Sequence, residues 1–169
     1  MQLDSLKRLY LEEVKQLYDA EIQIVEVMLR MTSAANSLGL RKSLTQHLEE
    51  SKTHVLRLEQ IFDHMAGEPQ ARVCKGMRAI LEEQDEVLDG SLEGPALDMA
   101  IIAAVQKIEH YEISAYGSVR TFASLLGDNE ALELLQVTLD EEKVTEGTLK
   151  DLIKQIAFEA LDATSSRSL

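Results

Sequence analysis

The sequence predicts an all-α protein whose long helices pack as an antiparallel four-helix bundle, and three observations support this prediction. The 169 residues include only two prolines and eight glycines, too few for the many turns of a β-sheet protein. Residues that favour helices, such as Leu, Ala, Glu, Lys and Met, dominate long stretches, whereas aromatic residues make up only 4% of the chain. Apolar residues recur at intervals of three and four through most of the chain, which indicates amphipathic helices. A chain of this length forms one domain with a single substantial core.

The first two helices are predicted at about 3–37 and 40–66 from these intervals. The segment SLGL around Gly39 joins them and is short, so the two helices must be antiparallel neighbours. Gly67 and Pro69 are expected to end the second helix.

A connector over residues 68–94 follows, with a short amphipathic helix predicted at about 75–88. The third long helix is predicted at about 96–126, where Gly127 is a natural C-terminal cap, and the fourth at about 129–160. Two antiparallel hairpins joined by one long crossover is the arrangement of ferritin-like folds. We therefore expect a single ferritin-like domain over residues 1–162, followed by a frayed tail at 163–169.

The charge of the chain argues against several classes of partner. With 30 acidic and 17 basic residues the formal net charge is −13, which would repel nucleic-acid phosphates and anionic lipids. The N-terminus lacks the basic start and apolar stretch of a signal peptide, and no run of about 18 apolar residues could span a bilayer. The single cysteine, Cys74, fits a reducing compartment. We expect a cytoplasmic protein that binds neither nucleic acid nor membranes.

Carboxylates stand where the helical patterns call for apolar residues. Glu21 fills the one gap in the apolar stripe of the first helix, and Glu142 fills the corresponding gap in the fourth, with Glu146 less central. In the third helix Glu112 lies near the middle of the apolar sector and Glu109 lies on its flank. Since the middles of antiparallel helices lie at one level of a bundle, these acids should converge.

The second helix is harder to interpret, because Glu50, His47 and His54 all project from the shoulder of its apolar stripe. An internal symmetry supports Glu50, since it follows Glu21 across the first hairpin at nearly the same separation as Glu142 follows Glu112 across the second.

Three further residues lie near these acids. His110 projects away from the apolar sector and is expected at the surface. Tyr18 and Tyr116 lie one turn from predicted acids and either fill the core or orient the carboxylates.

Buried carboxylates need partners. Each unpaired one destabilises a fold by several kcal/mol, against a total stability of about 5 to 15 kcal/mol. Arg57 and Arg120 lie on roughly the right faces but are too few. Two divalent metal ions would offset most of the charge, and oxygen-rich ligation with one or two imidazoles suits iron, or alternatively manganese. In metal-free protein, Glu142→Gln should relieve repulsion between the acids and raise the melting temperature.

Four segments of the chain resemble the YciE/YciF family of bacterial ferritin-like proteins, which are associated with stress responses. The segments are LYLEEVKQLYDAEIQ, HLEESKTHVLRLEQIF, KIEHYEISAYG and LLQVTLDEEK, and the resemblance extends over nearly the whole chain, including CKGM at Cys74. The resemblance implies a ferritin-like fold that is often dimeric. It also implies a di-metal centre, whose ligands would be Glu21, Glu50, Glu109, Glu112 and Glu142.

The wider ferritin-like pattern has a histidine three residues after the glutamate of the second helix. Here Thr53 stands three residues after Glu50, so the histidine ligand is His54, with His47 as the alternative, or is absent.

The sequence leaves three functions open. The leading hypothesis is redox chemistry at a carboxylate-bridged di-iron centre, which would oxidise iron or consume peroxide or dioxygen. The second is sequestration of iron without turnover, and the third is a metal-free helical scaffold or partner-binding protein. We also expect a homodimer, because of the long helices, exposed leucines and methionines in the connector, and the family resemblance.

Overall fold

The structure, a computed structural model, describes residues 3–65 and 68–165. Within these ranges all regular secondary structure is α-helical. The helices in chain order are α1 Leu3–Ala34, α2 Leu38–His64, α3 Lys75–Leu88, α4 Gly94–Leu126 and α5 Asn129–Ser165. The predicted all-α fold, with four long helices and a short one in the connector, is therefore confirmed. None of the described helices is both long enough and apolar enough to cross a membrane.

The four long helices form two hairpins, α1–α2 and α4–α5, that pack against each other. α1 contacts α2 and α4, α5 contacts α4 and α2, and the short helix α3 packs against α4 and α1. The start of α4 contacts the α1–α2 turn, at the end of the bundle opposite to the end of α2. The connector therefore crosses the length of the bundle, as in ferritin-like folds.

The α1–α2 turn comes a few residues earlier in the chain than the sequence predicts. α2 already begins at Leu38, because the Ser37 hydroxyl caps it by accepting a hydrogen bond from the backbone N–H of Leu40 at 3.4 Å. Gly39, predicted at the centre of the turn, is part of the first turn of α2. A Cβ atom there would lie 3.3 Å from Leu152 Cδ2, so the glycine allows close packing of α5.

Other helix ends differ from the prediction by a few residues. α4 begins at Gly94 with Pro95 in its first turn, and it ends at the predicted cap Gly127, whose φ of 72° is left-handed. α5 continues to Ser165, beyond the predicted end near 160. Residues 166–169 of the predicted tail, and residues 66–67 where the end of the second helix is predicted, lie outside the described ranges.

The apolar core consists of two clusters, one in each half of the bundle. The first includes Ile24, Met28, Leu44, Ile101, Val105 and Leu149. The second includes Leu17, Leu58, Phe62, Tyr116, Val119 and Leu135. Each long helix contributes one stretch to each cluster, and the residues between the two stretches form a polar layer at the middle of the bundle.

Hydrogen bonds attach the connector to α1 just before α3 begins. The backbone N–H of Arg72 donates to the Lys15 carbonyl at 3.1 Å, and that of Cys74 donates to the Asp19 carboxylate at 2.7 Å. The Cys74 side chain is buried, with Sγ 2.8 Å from the hydroxyl oxygen of Tyr111 on α4. These contacts give the cysteine a structural role, in which it holds the connector between α1 and α4.

The connector exposes less apolar surface than the sequence predicts. Met77 and Leu81 are buried, because α3 packs them into the first cluster against α1 and α4. Leu92, after α3, is exposed. This reason for expecting a homodimer therefore applies to Leu92 but not to Met77 and Leu81, and the dimer stays a prediction that rests mainly on the other two reasons.

Asp98 of α4 holds the α1–α2 turn. Its buried carboxylate accepts hydrogen bonds from the backbone N–H groups of Asn36 at 2.6 Å and Ser37 at 2.7 Å. Because the acceptor is charged, these two bonds are stronger than neutral ones. They connect the start of the second hairpin to the turn of the first and so fix how the two hairpins meet.

Asp98→Ala should lower the free energy of unfolding by about 2 to 3 kcal/mol, since hydrogen bonds to a charged acceptor contribute about 1.5 to 3 kcal/mol. Urea unfolding followed by circular dichroism measures this loss. Asp151→Ala is the control, because the Asp151 side chain is 82% exposed and its loss should change stability by less than about 0.5 kcal/mol. Equal losses in the two variants would contradict a role for Asp98 in joining the hairpins.

Candidate metal centre

Six side chains with metal-binding chemistry are buried in the polar layer between the two apolar clusters. Each long helix contributes to this set. The carboxylates are Glu21 on α1, Glu109 and Glu112 on α4, and Glu142 on α5, and the imidazoles are His47 and His54 on α2. All four carboxylates are 0% exposed, so water cannot offset their charge.

These side chains form two overlapping groups. In each group the potential ligand atoms lie within 4.8 Å of one another. The first group contains Glu21, His54, Glu112 and Glu142, and the second contains His47, Glu109, Glu112 and Glu142. Glu112 and Glu142 belong to both groups, so each has the position of a carboxylate that could bridge two ions.

The imidazoles lie close to the carboxylates without making aligned hydrogen bonds to them. His54 Nδ1 is 2.9 Å from Glu142 Oε1 and 3.2 Å from Glu21 Oε1, and His47 Nε2 is 3.1 Å from Glu109 Oε1. Among the described residues neither of these nitrogens has a hydrogen-bond partner. The same holds for both carboxylate oxygens of Glu109, Glu112 and Glu142.

One carboxylate oxygen in the layer is satisfied. The buried hydroxyl of Tyr116 donates a hydrogen bond to Glu21 Oε1 at 2.5 Å, which leaves Glu21 Oε2 without a partner in the described part of the chain. Tyr116 therefore orients Glu21, one of the two roles that the sequence leaves open for it. The Tyr18 hydroxyl instead donates to Glu59 Oε1 at 2.9 Å, outside the layer.

Burial and mutual repulsion make two of the acids hard to ionise. Burial raises the pKa of Glu112 well above its usual range, and the charges of Glu142, Glu21 and Glu109 raise it further. Burial likewise raises the pKa of Glu109, with Glu142 as the next cause. In the metal-free protein both carboxyl groups are therefore harder to ionise than an ordinary glutamate.

Glu142 and His54 ionise more readily than burial alone would allow. Burial opposes ionisation of Glu142, but the nearby imidazoles of His54 and His47 outweigh it, and the pKa of Glu142 is lowered. Burial also lowers the pKa of His54, but the adjacent Glu142 and Glu21 carboxylates outweigh this effect and raise it to about 10. Without metal, the pairing of His54 with Glu142 and the raised pKa values of Glu109 and Glu112 reduce the negative charge of the layer.

The donor set fits two divalent metal ions. Ten of its oxygen and nitrogen atoms are buried without a hydrogen-bond partner among the described residues, which is rare in folded proteins unless an ion or water satisfies them. Four carboxylates and two imidazoles are the ligand chemistry of iron or manganese, whereas a structural zinc site prefers thiolates.

Five of the six residues predicted as ligands converge in this layer: Glu21, Glu109, Glu112, Glu142 and His54. Glu50 does not belong to either group. It is partly exposed, and its carboxylate accepts hydrogen bonds from Gln46 Nε2 at 2.9 Å and Thr145 Oγ1 at 3.4 Å.

The rotation of α2 explains the position of Glu50. With 3.6 residues per turn, Glu50 lies about 80° from the centre of the buried face of α2, whereas His47 and His54 lie within about 40° of it. His47 therefore takes the place that the hairpin symmetry assigns to Glu50. The sequence names His47 only as an alternative, because it projects from the same shoulder of the stripe.

Two other candidates lie outside the layer. Glu146 points to the edge of the bundle, where its carboxylate is 2.5 Å from Lys150 Nζ and 3.2 Å from His110 Nε2. The His110 side chain is 61% exposed, as predicted. Arg57, which the sequence considers as a partner for the buried acids, pairs instead with Glu141 at the rim of the layer. The sequence pattern gives no signal for Glu141, because this residue lies outside the apolar stripe of α5.

Comparison with known proteins identifies the family. Residues 5–162 match a domain of unknown function, DUF892. The chain belongs to this family. It is 33% identical to the protein YciF of Escherichia coli strain K12 over 153 residues, which cover 90% of this chain and 92% of the relative. The resemblance to the YciE/YciF family is therefore confirmed.

Solved structures of family relatives have the same fold. The crystal structure of the E. coli stress protein YciF matches with a TM-score of 0.86 and 31% identity, over 90% of this chain and 96% of that chain. The protein YcfI from Rhodopseudomonas palustris matches with a TM-score of 0.83 and 32% identity, over 86% and 92% of the two chains.

A more distant structure shares the fold alone. The dodecameric thioferritin of Bacteroides fragilis matches with a TM-score of 0.73, over 95% of this chain and 98% of that chain, but is only 13% identical. The ferritin-like architecture predicted from the sequence is thus confirmed.

Glu112→Gln should stabilise the metal-free protein, by an amount that grows with pH. The pKa of Glu112 is higher in the folded state than in the unfolded state. The contribution of this carboxyl group to stability is therefore fully present below its unfolded-state pKa and is lost as the pH rises through its folded-state pKa. Glutamine has the same shape but does not titrate. Melting temperatures measured in chelator between about pH 5 and pH 8 should therefore fall less in the variant than in the wild type.

Glu142→Gln should instead lower the melting temperature of the metal-free protein, which reverses the expectation from the sequence. The reason is that Glu142 is the ionised partner of His54. Glu133→Gln, at an exposed position, serves as the control and should change little. A gain of stability in Glu142→Gln would contradict its role as the ionised partner of His54. A loss of stability in Glu112→Gln would contradict the raised pKa of Glu112.

Proposed function

We propose that this protein binds two divalent metal ions, iron in the first instance, in the polar layer and uses them for redox chemistry with peroxide or dioxygen under stress. The observation that carries the proposal is the set of buried carboxylate and imidazole atoms without hydrogen-bond partners in the described part of the chain. Such atoms destabilise a fold unless something binds them.

The two ligand groups favour one assignment of ligands. Glu21 and His54 would hold one ion, and His47 and Glu109 the other, with Glu112 and Glu142 shared between them. Four carboxylates carry the same charge as two divalent ions, so the loaded layer would be neutral. This balance favours a pair of ions over one.

The protein's own contribution is to hold these groups and keep water away from them. The two apolar clusters seal the layer from both ends of the bundle. Tyr116 fixes Glu21 so that its second oxygen faces the layer. Bound ferrous iron would supply the electrons that reduce peroxide or dioxygen and would itself be oxidised to the ferric state.

The relatives support a role in stress. The E. coli relative is described as a stress protein, and the B. fragilis protein that shares the fold is described as a thioferritin. Sequestration of iron without turnover remains the alternative function. Peroxide consumption by the iron-loaded protein distinguishes the two, because sequestration alone predicts none beyond that of free iron.

We also infer a cytoplasmic location and a homodimer. The buried thiol of Cys74 agrees with a reducing compartment. Leu56, Val137 and Val144, on α2 and α5, expose apolar side chains that a second copy of the chain could cover. Sedimentation that shows only monomer at micromolar concentration would contradict the predicted homodimer.

Metal stoichiometry tests the ligand assignment. Wild-type protein, loaded with ferrous iron without oxygen and then desalted, should contain two ions per chain by elemental analysis. Glu112→Ala and Glu142→Ala should lose both ions, because both positions share these residues, whereas Glu21→Ala and Glu109→Ala should each lose one. The exposed variant His110→Ala should retain two. Wild-type protein that binds no ion would overturn the proposed function.

The choice between His47 and Glu50 is tested in the same way. If the arrangement on α2 is retained on loading, His47→Ala should lose one ion and Glu50→Ala should lose none, since only His47 belongs to a ligand group. The opposite result would restore the ligand set that the family resemblance implies.

Metal binding should release protons and strengthen as pH rises. The pKa values of Glu109, Glu112 and His54 are all raised in the metal-free protein, so loading these groups with metal should displace protons from them. Isothermal titration calorimetry in buffers of different ionisation enthalpy counts these protons. Glu112→Gln should release fewer. A binding enthalpy that does not depend on the buffer would contradict the raised pKa values of these groups.

A further inference from the structure

The outer edge of His54 contacts a carboxylate that does not belong to the polar layer. His54 Nε2 lies 2.9 Å from Glu141 Oε2, on the side of the ring opposite to Glu21 and Glu142. The two nitrogens therefore have different surroundings. Nδ1 faces the buried ligand group, and Nε2 faces the rim of the bundle.

Glu141 is held in place by α2. Arg57 binds both of its carboxylate oxygens, with Nη2 3.0 Å from Oε1 and Nη1 in contact with Oε2. The same Nη1 also donates to Thr138 Oγ1 at 3.0 Å. A carboxylate paired at both oxygens with a guanidinium is ionised and can only accept hydrogen bonds.

This arrangement decides which nitrogen of His54 can bind a metal. Because Glu141 can only accept, the proton between it and His54 must reside on Nε2. When an ion displaces the other proton, the free lone pair is on Nδ1, which points at Glu21 and Glu142. A carboxylate behind a ligating histidine fixes the orientation of the ring and makes the other nitrogen a stronger ligand.

His47 lacks such a partner. Among the described residues neither of its ring nitrogens has a hydrogen-bond partner. Its Nε2 is 3.1 Å from Glu109 and its Nδ1 is 4.0 Å from Glu142, so both nitrogens face the layer. The two ligand groups thus share Glu112 and Glu142 but differ in how their histidine is held.

We propose that Glu141, clamped by Arg57, is a positioning residue that keeps the proton on Nε2 of His54, presents Nδ1 to the ion, and so makes the Glu21–His54 position the tighter of the two metal positions. This inference rests on the proposed function, because it requires that metal binds in the layer. It adds an order of filling, in which the Glu21–His54 position loads before the His47–Glu109 position.

The affinity test uses zinc as a redox-inert probe in calorimetry with a competing chelator. Wild-type protein should show two unequal dissociation constants. Glu141→Leu, which removes the acceptor, should weaken the tighter one by about 10-fold to 100-fold and leave the weaker one unchanged. Glu141→Gln keeps an acceptor oxygen and should restore most of the difference. Asp140→Asn, at the neighbouring exposed position, is the control and should match the wild type.

Nitrogen-15 NMR of the zinc-loaded protein tests the protonation directly, through a readout that a purely structural role would not change. The wild type and Glu141→Gln should show a slowly exchanging proton on His54 Nε2 and zinc on Nδ1. In Glu141→Leu this proton should exchange faster. Zinc on Nε2 in the wild type would overturn the inference even if the leucine variant does not fold.

The outcomes separate the two proposals. Wild-type protein that binds no zinc or iron overturns both. Wild-type protein that binds two ions while Glu141→Gln and Glu141→Leu bind them with wild-type constants overturns the role of Glu141 alone. Equal weakening of both positions in Glu141→Leu also overturns it, because that result indicates a general loss of structure.

Discussion

The burial of four carboxylates at one level of the bundle is the constraint on which the rest of this structure depends. Glu21, Glu109, Glu112 and Glu142 come from three helices, and none of them reaches solvent. A layer of this kind is stable only if protons, imidazoles or metal ions balance its charge. The apolar clusters on either side supply the packing that holds the helices together while the layer remains polar.

The histidines of α2 divide the four acids into two kinds. Glu142 lies next to both imidazoles, which lower its pKa, whereas burial and the neighbouring carboxylates raise the pKa of Glu109 and of Glu112. The raised pKa values favour protonation of Glu109 and Glu112 in the absence of metal, and an ion that binds them would have to displace any proton they hold. The potential ligand atoms already lie within 4.8 Å of one another, so metal binding would need little rearrangement, and its affinity would be linked to pH.

The fold alone does not decide the chemistry. The thioferritin of B. fragilis superimposes over nearly the whole chain at 13% identity, so the helical frame tolerates almost complete replacement of its residues. The feature that the fold does not determine is the set of side chains in the polar layer. The contacts that fix the frame, such as Asp98 at the α1–α2 turn and Cys74 before α3, lie outside that layer and hold the helices at the level where those side chains meet.

The sequence by itself determined the helical class, the two hairpins with their crossover, and the convergence of Glu21, Glu109, Glu112 and Glu142, because the period of a helix shows which residues face the core. It left His47, His54 and Glu50 unresolved, since all three project from the shoulder of one stripe. Only the tertiary structure decided among them, through the rotation of α2 against its neighbours, which turns His47 inward and Glu50 to the rim. Only the tertiary structure revealed the clamp of Arg57 on Glu141, because these residues are 84 positions apart and their contact arises from the packing of α2 against α5.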